Sequence, residues 1–426
     1  MSFFRYGLMI LGLLLAHQGY AHNDQYPKIM AMNIGNSVNY SDPKYQTEMS
    51  KADALVLVFW PKWGEYKYGP MAVSGVIKNI KSLNPSILVG QYTNLNESTG
   101  LQDTPNMDKA IKLGSEGWWL QDAFGNKLQW ISSYNAWDIN ITEYTRPDTK
   151  GMRYSEWLAE RNYLSLFKNV PQFDFWYLDN SLSKSPVDRA DWRQDGTTQN
   201  ASDPEIAKSY RMGHVRYWQA IKQYQPTTLL MGNSDDLSSL EYSQKLNGAF
   251  FEAAIGKSYS IEKWKGWEAM LQRYYSHMQH TASPHMVGFN VWGKANDYQK
   301  MRYGLTTCLL NNGYFSYTDE EKGYASVPWF DEYDVKLGQP IEEPPTKPWQ
   351  NGVYRRKYQN GMVLVNPALF QKEFAIESGY KRILGVQAKE INNGMPVSKV
   401  VLNAKDGLIL VNDKITPKPP QPVTAK

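Results

Sequence analysis

One cysteine, Cys308, occurs in 426 residues. No internal disulfide is possible, so stability must come from packing, even in an oxidising compartment. Cys308 lies in the apolar stretch YGLTTCLLNNGYF, and a buried place in a helix is its expected role. Histidine is scarce, with six residues at 17, 22, 214, 277, 280 and 285. His277 and His280 lack the H-E-x-x-H spacing of a zinc hydrolase and are expected at a surface or helix end. No metal or cofactor is expected. No G-x-G-x-x-G follows the first predicted strand, and no G-x-x-x-x-G-K-[ST] occurs, which argues against a nucleotide-binding doubly wound sheet. The absence of a G-x-S-x-G elbow after a strand argues against a serine hydrolase. The formal net charge is only +4, without the dense basic stripe of a nucleic-acid binder, so no nucleic acid is expected as partner.

Long apolar runs are also missing beyond the N-terminus. There, Arg5 precedes an apolar run from Leu8 to Ala16, and Gly19-Tyr20-Ala21 ends in a small residue. This pattern predicts a signal peptide over residues 1–21, a secreted or periplasmic protein, and no stable membrane insertion after cleavage. Aromatic residues are plentiful, at 14% of the chain. Many of the 15 Trp stand beside polar residues, which suits a carbohydrate polymer or oligosaccharide with apolar ring faces better than a phosphate backbone.

Eight runs rich in β-branched and aromatic residues recur: PKIMAMNIG in the 28–36 region, ADALVLVFW (52–60), SILVGQYTN (86–94), FDFWYLDNS (173–181), TTLLMGNSD (227–235), GAFFEAAIG (248–256), HMVGFNVWG (285–293) and GYFSYTDEE (313–321). Segments of helical period separate most of them. Ser202-Asp203-Pro204-Glu205 and Ser260 before Lys263 offer helix starts. Eight strands alternating with helices predict an α/β fold, a (β/α)₈ TIM barrel over residues 27–335. The long interval from Asn94 to Phe173 predicts an elaborated loop over the catalytic face. Residues 336–351 form a Pro-rich connector, and strand-turn patterns over 352–412 predict a small β-sandwich-like domain. Its signals include a two-residue hairpin turn at Gln359-Asn360-Gly361 and a turn at Lys405-Asp406-Gly407. The tail at 413–426 is expected to be disordered.

In such a barrel the chemistry stands at the C-terminal ends of the strands. Asp179 ends the fourth predicted strand directly after an apolar run, with Asn180 behind it. Glu252 interrupts the apolar sixth strand, where an uncompensated carboxylate is costly to bury. Two carboxylates converging across a barrel mouth are what glycosidic cleavage needs. Asn180 is an expected substrate contact, together with Trp60, Tyr92, Asn94, Asn233, Asp319 and Glu320 at other strand ends and Asn290 and Trp292 on the seventh strand. Asp138, in the long loop, is expected to bind a sugar hydroxyl or to hold the loop through an Asx-type turn.

FWYLDNS, FFEAAIG, GYFSYTDE followed by WFDEYDVKLGQP, and GVYRRKYQNGMVLVNP together resemble the glycoside hydrolase-like family 15 proteins, over roughly Pro27 to Val411. The resemblance implies a glycosidase-like barrel with a short β-domain. Its similarity to barrel glycosidases of α-linked sugars implies Asp179 as nucleophile and Glu252 as acid/base. The expected function is cleavage of an O-glycosidic bond. The alternative from another class is a noncatalytic polysaccharide-binding barrel.

Overall fold

The computed structural model describes residues 25–33, 39–57, 70–100 and 106–412. The expected signal segment, Trp60 and the expected C-terminal tail lie outside the described residues. Eight parallel strands close into a barrel in sequential order: β1 (Lys28–Asn33), β2 (Ala54–Leu57), β3 (Leu88–Asn94), β4 (Phe175–Asp179), β5 (Leu229–Gly232), β6 (Gly248–Ile255), β7 (Gly288–Gly293) and β8 (Tyr314–Asp319), with β8 returning to β1. Each falls in one of the eight runs expected to be strands.

Side chains alternate across a strand, and this period divides every run in two. The inward set includes Met30, Met32, Val56, Leu88, Phe175, Tyr177, Met231 and Phe250, all buried in one cluster that fills the barrel. The outward set, including Leu55, Val89, Trp176 and Leu230, packs against the surrounding helices. Gly90 belongs to the inward set, and a Cβ there would lie 2.2 Å from the Phe175 ring. Glycine thus makes room for the large aromatic across the strand pair.

The helices are α1 (Pro43–Met49), α2 (Pro70–Leu83), α3 (Met107–Ser115), α4 (Tyr154–Ser165), α5 (Pro204–Tyr224), α6 (Ile261–Lys265), α7 (Trp267–His280) and α8 (Tyr298–Leu309). Asp203 caps α5 by accepting from the Glu205 backbone N–H at 2.9 Å, and Ser260 caps α6 through Lys263 N–H at 3.2 Å. The helical segment expected after the Ser260 start is broken at Gly266, whose φ of 86° is closed to most L-residues. His277, expected at a surface or helix end, is in the last turn of α7 but buried, with its ring nitrogens facing the carbonyls of Arg273 and Ser234. Cys308 is buried in α8. Among the described residues no helix is long and apolar enough to cross a membrane.

The C-terminal strands are β9 (Tyr354–Tyr358), β10 (Gly361–Asn366), β11 (Lys372–Ala375), β12 (Tyr380–Arg382), β13 (Lys399–Leu402) and β14 (Asp406–Asn412). They form antiparallel sheets, one in the order β9-β10-β14-β12 and one pairing β11 with β13. Tyr358 pairs with Gly361, leaving Gln359-Asn360 as a two-residue loop. The expected turn at Lys405-Asp406-Gly407 differs. Lys405 takes a left-handed φ of 48°, but Asp406 already belongs to β14 and is buried. Arg302 of α8 draws it inward through paired bonds, Nε to Oδ1 at 3.1 Å and Nη2 to Oδ2 at 3.0 Å. Removing one partner from a buried ion pair leaves the other charge desolvated. Asp406→Ala is therefore expected to lower stability by about 3–5 kcal/mol, read as a reduced urea midpoint.

Candidate active site

The inward period that fills the barrel with Phe175 and Tyr177 brings Asp179 next, at the mouth. The same inward period carries Asn233 just beyond β5 and Glu252 on β6 toward it, while Tyr92 on β3 stands opposite Tyr177 and meets Asp179 through its hydroxyl. These are joined directly. One Asn233 amide nitrogen donates to Asp179 Oδ1 at 3.0 Å and to Glu252 Oε2 at 2.9 Å. Tyr92 donates its hydroxyl to Asp179 Oδ2. On the other side Tyr324, from the segment after β8, donates to Glu252 Oε1 at 2.5 Å. Each carboxylate oxygen of the pair thus accepts a hydrogen bond. Beneath them Tyr92 stacks on Tyr177 at 5.5 Å between ring centroids, so the apolar barrel core forms the floor.

Glu252 is aimed by a backbone irregularity. The pairing of β6 with β7 shifts between Phe251 and Ile255, and Ala253 takes a left-handed φ of 49°. Asn290 holds this kink. Its Oδ1 accepts from Ala253 N–H at 3.0 Å, while its Nδ2 donates to Thr318 Oγ1 at 2.9 Å. Asn290 was expected to touch substrate, but it is fully buried with its amide engaged by protein. Its place is behind the backbone of Glu252.

The remaining expected residues are spread more widely. Asn94 is buried beside the mouth and donates to Glu97 Oε1 at 3.1 Å. Asn180 follows Asp179 in a left-handed conformation, φ 52°. Trp292 is the last residue but one of β7, with the Lys257 ammonium 3.6 Å from its ring centroid and the Tyr324 ring packed edge-on at 5.1 Å. Asp319 is buried and accepts from Glu321 N–H, shaping the turn after β8, whereas Glu320 is exposed. Asp138 sits in a short strand, Ala136–Asp138, paired with Glu97–Thr99 in the long insertion. Its Oδ2 accepts from Trp130 N–H at 2.6 Å, eight residues back along the chain, which is a cross-loop contact and not the expected Asx-type turn.

Electrostatics separate these carboxyls. Burial pushes Asp179 up to about 6; the Tyr92 hydrogen bond opposes this and the negative charge of Glu252 adds to it. Burial likewise raises Asp138 to about 7, with Trp130 N–H opposing and Glu97 contributing. Glu97 is itself raised, first by burial and then by Asp179. Sequence reasoning missed Glu97 and Tyr324. Tyr324 follows the eighth strand on the catalytic face, so its position alone could have flagged it. Among the described residues no group of His, Cys, Asp and Glu is placed to hold a metal ion.

An eight-stranded barrel with carboxylates at the mouth is a glycosidase-like (β/α)₈ architecture. The chain belongs to the hypothetical glycosyl hydrolase family 15, whose profile matches residues 81–362, more than half of its length. No curated protein matches the chain. Among solved structures, Amy13B from Eubacterium rectale is similar at a TM-score of 0.50 and 9% identity, covering 91% of this chain and 97% of that one. An α-amylase from Anoxybacillus gives 0.47 and 10%, covering 93% and 99%. The GH36 α-galactosidase AgaA from Geobacillus stearothermophilus gives 0.46 and 12%, covering 91% of this chain and 56% of its own. At such low identities the likeness concerns the fold alone.

Proposed function

We propose that the protein is a glycoside hydrolase that cleaves an α-linked oligo- or polysaccharide with retention of configuration, with Asp179 as nucleophile and Glu252 as acid/base. One observation carries this reading: a single amide nitrogen bridges the two carboxylates. Two bonds of 3.0 and 2.9 Å from one nitrogen hold the facing oxygens within about 6 Å, and the divergence of the two amide N–H bonds favours about 5 Å. Retaining enzymes need roughly 5–5.5 Å between the carboxyls, whereas inverting ones need roughly 6.5–9.5 Å to admit a water. The α-linkage follows the β4 and β6 placement that the sequence shares with barrel glycosidases of α-linked sugars. The N-terminal signal pattern supports a secreted or periplasmic location for this activity.

In the first step Glu252 gives its proton to the glycosidic oxygen while Asp179 Oδ attacks the anomeric carbon, releasing the leaving sugar. In the second, Glu252 as carboxylate takes a proton from water, whose oxygen displaces Asp179 from that carbon. Asn233 touches both groups and holds them in register through each exchange. Proton NMR of the first-formed sugar from a cleaved α-glycoside tests the assignment: an α-anomer is expected, and a β-anomer would establish inversion.

The pH dependence has a definite sign. A nucleophile must be ionised, and Asp179 is raised to about 6. The value of kcat/KM is therefore expected to fall about tenfold per pH unit on the acid side of about 6. Were Asp179 the proton donor, activity would instead fall as pH rises through that value. A kcat/KM profile across the neutral and acidic range decides between them.

A further inference from the structure

Beyond Glu252 the chain runs into KSYSIEKWK, Lys257–Lys265, where lysines alternate with exposed aromatics: Tyr259 is 50% and Trp264 64% exposed. This segment borders a cavity of about 500 Å³ that also reaches α8 and the start of β14. Its charged lining is Lys257, Lys263, Lys300, Lys405, Glu262 and Asp297. Lys300 pairs with Asp297 at 3.2 Å and Lys405 with Glu262 at 2.5 Å, so both acids are matched. Lys257 and Lys263 make no ion pair among the described residues, leaving two uncompensated cations. Tyr303 lines the same cavity at 2% exposure, and its hydroxyl has no hydrogen-bond partner among the described residues.

A continuous line of contacts ties this cavity to the mouth. Lys257 lies over Trp292, Trp292 packs on Tyr324, and Tyr324 bonds Glu252. Tyr259 stands near enough to Glu252 and Tyr134 for their charges to add to the rise that burial gives its hydroxyl. Tyr134, 59% exposed, comes from the long insertion after β3. Aromatic faces thus flank the lysines where a sugar chain would pass on the Glu252 side. The mouth itself holds Asp179, Glu252 and Glu97, which repel an anion. The lysine pair offers the opposite field, with ammonium donors for charge-assisted hydrogen bonds.

We propose that this cleft is a leaving-group-side subsite for an anionic sugar unit, a uronate or a sulfated sugar, within the chain that is cleaved. The inference rests on the acid/base role of Glu252, which makes its side of the mouth the leaving-group side. Calorimetric titration of the full-length Asp179→Asn variant at low ionic strength tests it without requiring turnover. The probes are an α-linked oligogalacturonate beside the same chain with its carboxyls reduced to alcohols, and dextran sulfate beside neutral dextran. At least one acidic chain is expected to bind about tenfold more tightly than its neutral counterpart, and the arm that does so identifies the anion. Added salt should erode this advantage. The Lys257→Ala/Lys263→Ala double variant in the same background should abolish it while changing affinity for the neutral chain less than about twofold. Equal affinity within both pairs, an advantage that survives the double variant, or no binding of any chain would overturn the proposal. A parent that binds acidic chains in this way yet hydrolyses none would overturn the catalytic reading and leave the anion site standing.

Discussion

Asp179→Asn is expected to abolish turnover, lowering kcat by at least about 10³-fold on any glycoside the parent cleaves, while the protein stays folded. The amide keeps the size of the side chain but cannot form the glycosyl–enzyme bond. The folded state should not suffer in proportion. The carboxyl of Asp179 is raised from 3.8 to about 6, chiefly by burial, so between those values the native state holds a proton that the unfolded chain has released. Stability from this group is fully present below pH 3.8 and is lost as pH rises through about 6, a difference of about 3 kcal/mol. At neutral pH the native protein thus retains a carboxylate that weakens it, which is expected of a group kept for chemistry and not for packing. Replacement by Asn removes that charge, so Tm at neutral pH should hold or rise. Azide offers a further check in the smaller Asp179→Gly variant. It should restore turnover of an activated α-glycoside and yield the β-configured glycosyl azide. A folded Asp179→Asn variant with near-parental kcat would remove Asp179 from the mechanism.

Much of this site was legible because strand periodicity is local. Counting by twos from Phe175 reaches Tyr177 and Asp179, and from Phe250 it reaches Glu252. The same rule sends Asn233 inward after Met231. The count alone could not separate a residue at the mouth from one just below it. Asn290 shares the inward face of β7, yet it is fully buried, with its amide bonded to the Ala253 backbone and Thr318. Partners brought by long-range closure were less visible. Tyr324 meets Glu252 across 72 residues of sequence, and Asp406 leaves its expected turn because Arg302, 104 residues away, is buried opposite it. The break at Gly266 was hidden for another reason: its flanking residues keep helical period on both sides, and only the left-handed φ separates α6 from α7. His277 does lie at a helix end, but its ring points inward between the carbonyls of Arg273 and Ser234, and its single N–H in the neutral form can be given to either of them.

Glu252→Gln should divide substrates by the quality of their leaving groups. Glu252 stands alone among GAFF and AAIG, held by Tyr324 and Asn233, and Gln can keep at least one of those bonds while losing the transferable proton. An alkoxide released from a natural sugar is a poor leaving group, so its departure depends on that proton and kcat/KM is expected to fall by about 10²–10⁴. A dinitrophenyl glycoside departs without help, so its kcat/KM, which reports the first step alone, should stay within about tenfold of the parent. Its kcat should nonetheless drop, because the second step needs Glu252 as a base to deprotonate water. The glycosyl–enzyme would then accumulate, visible as a burst of dinitrophenolate equal to the enzyme present. Azide, which needs no base, should relieve this block and yield the α-configured product, the opposite of the configuration expected from the Asp179→Gly variant. Equal losses of kcat/KM on the natural and activated substrates would count against proton donation by Glu252. Retention of full activity on both would exclude it from either step.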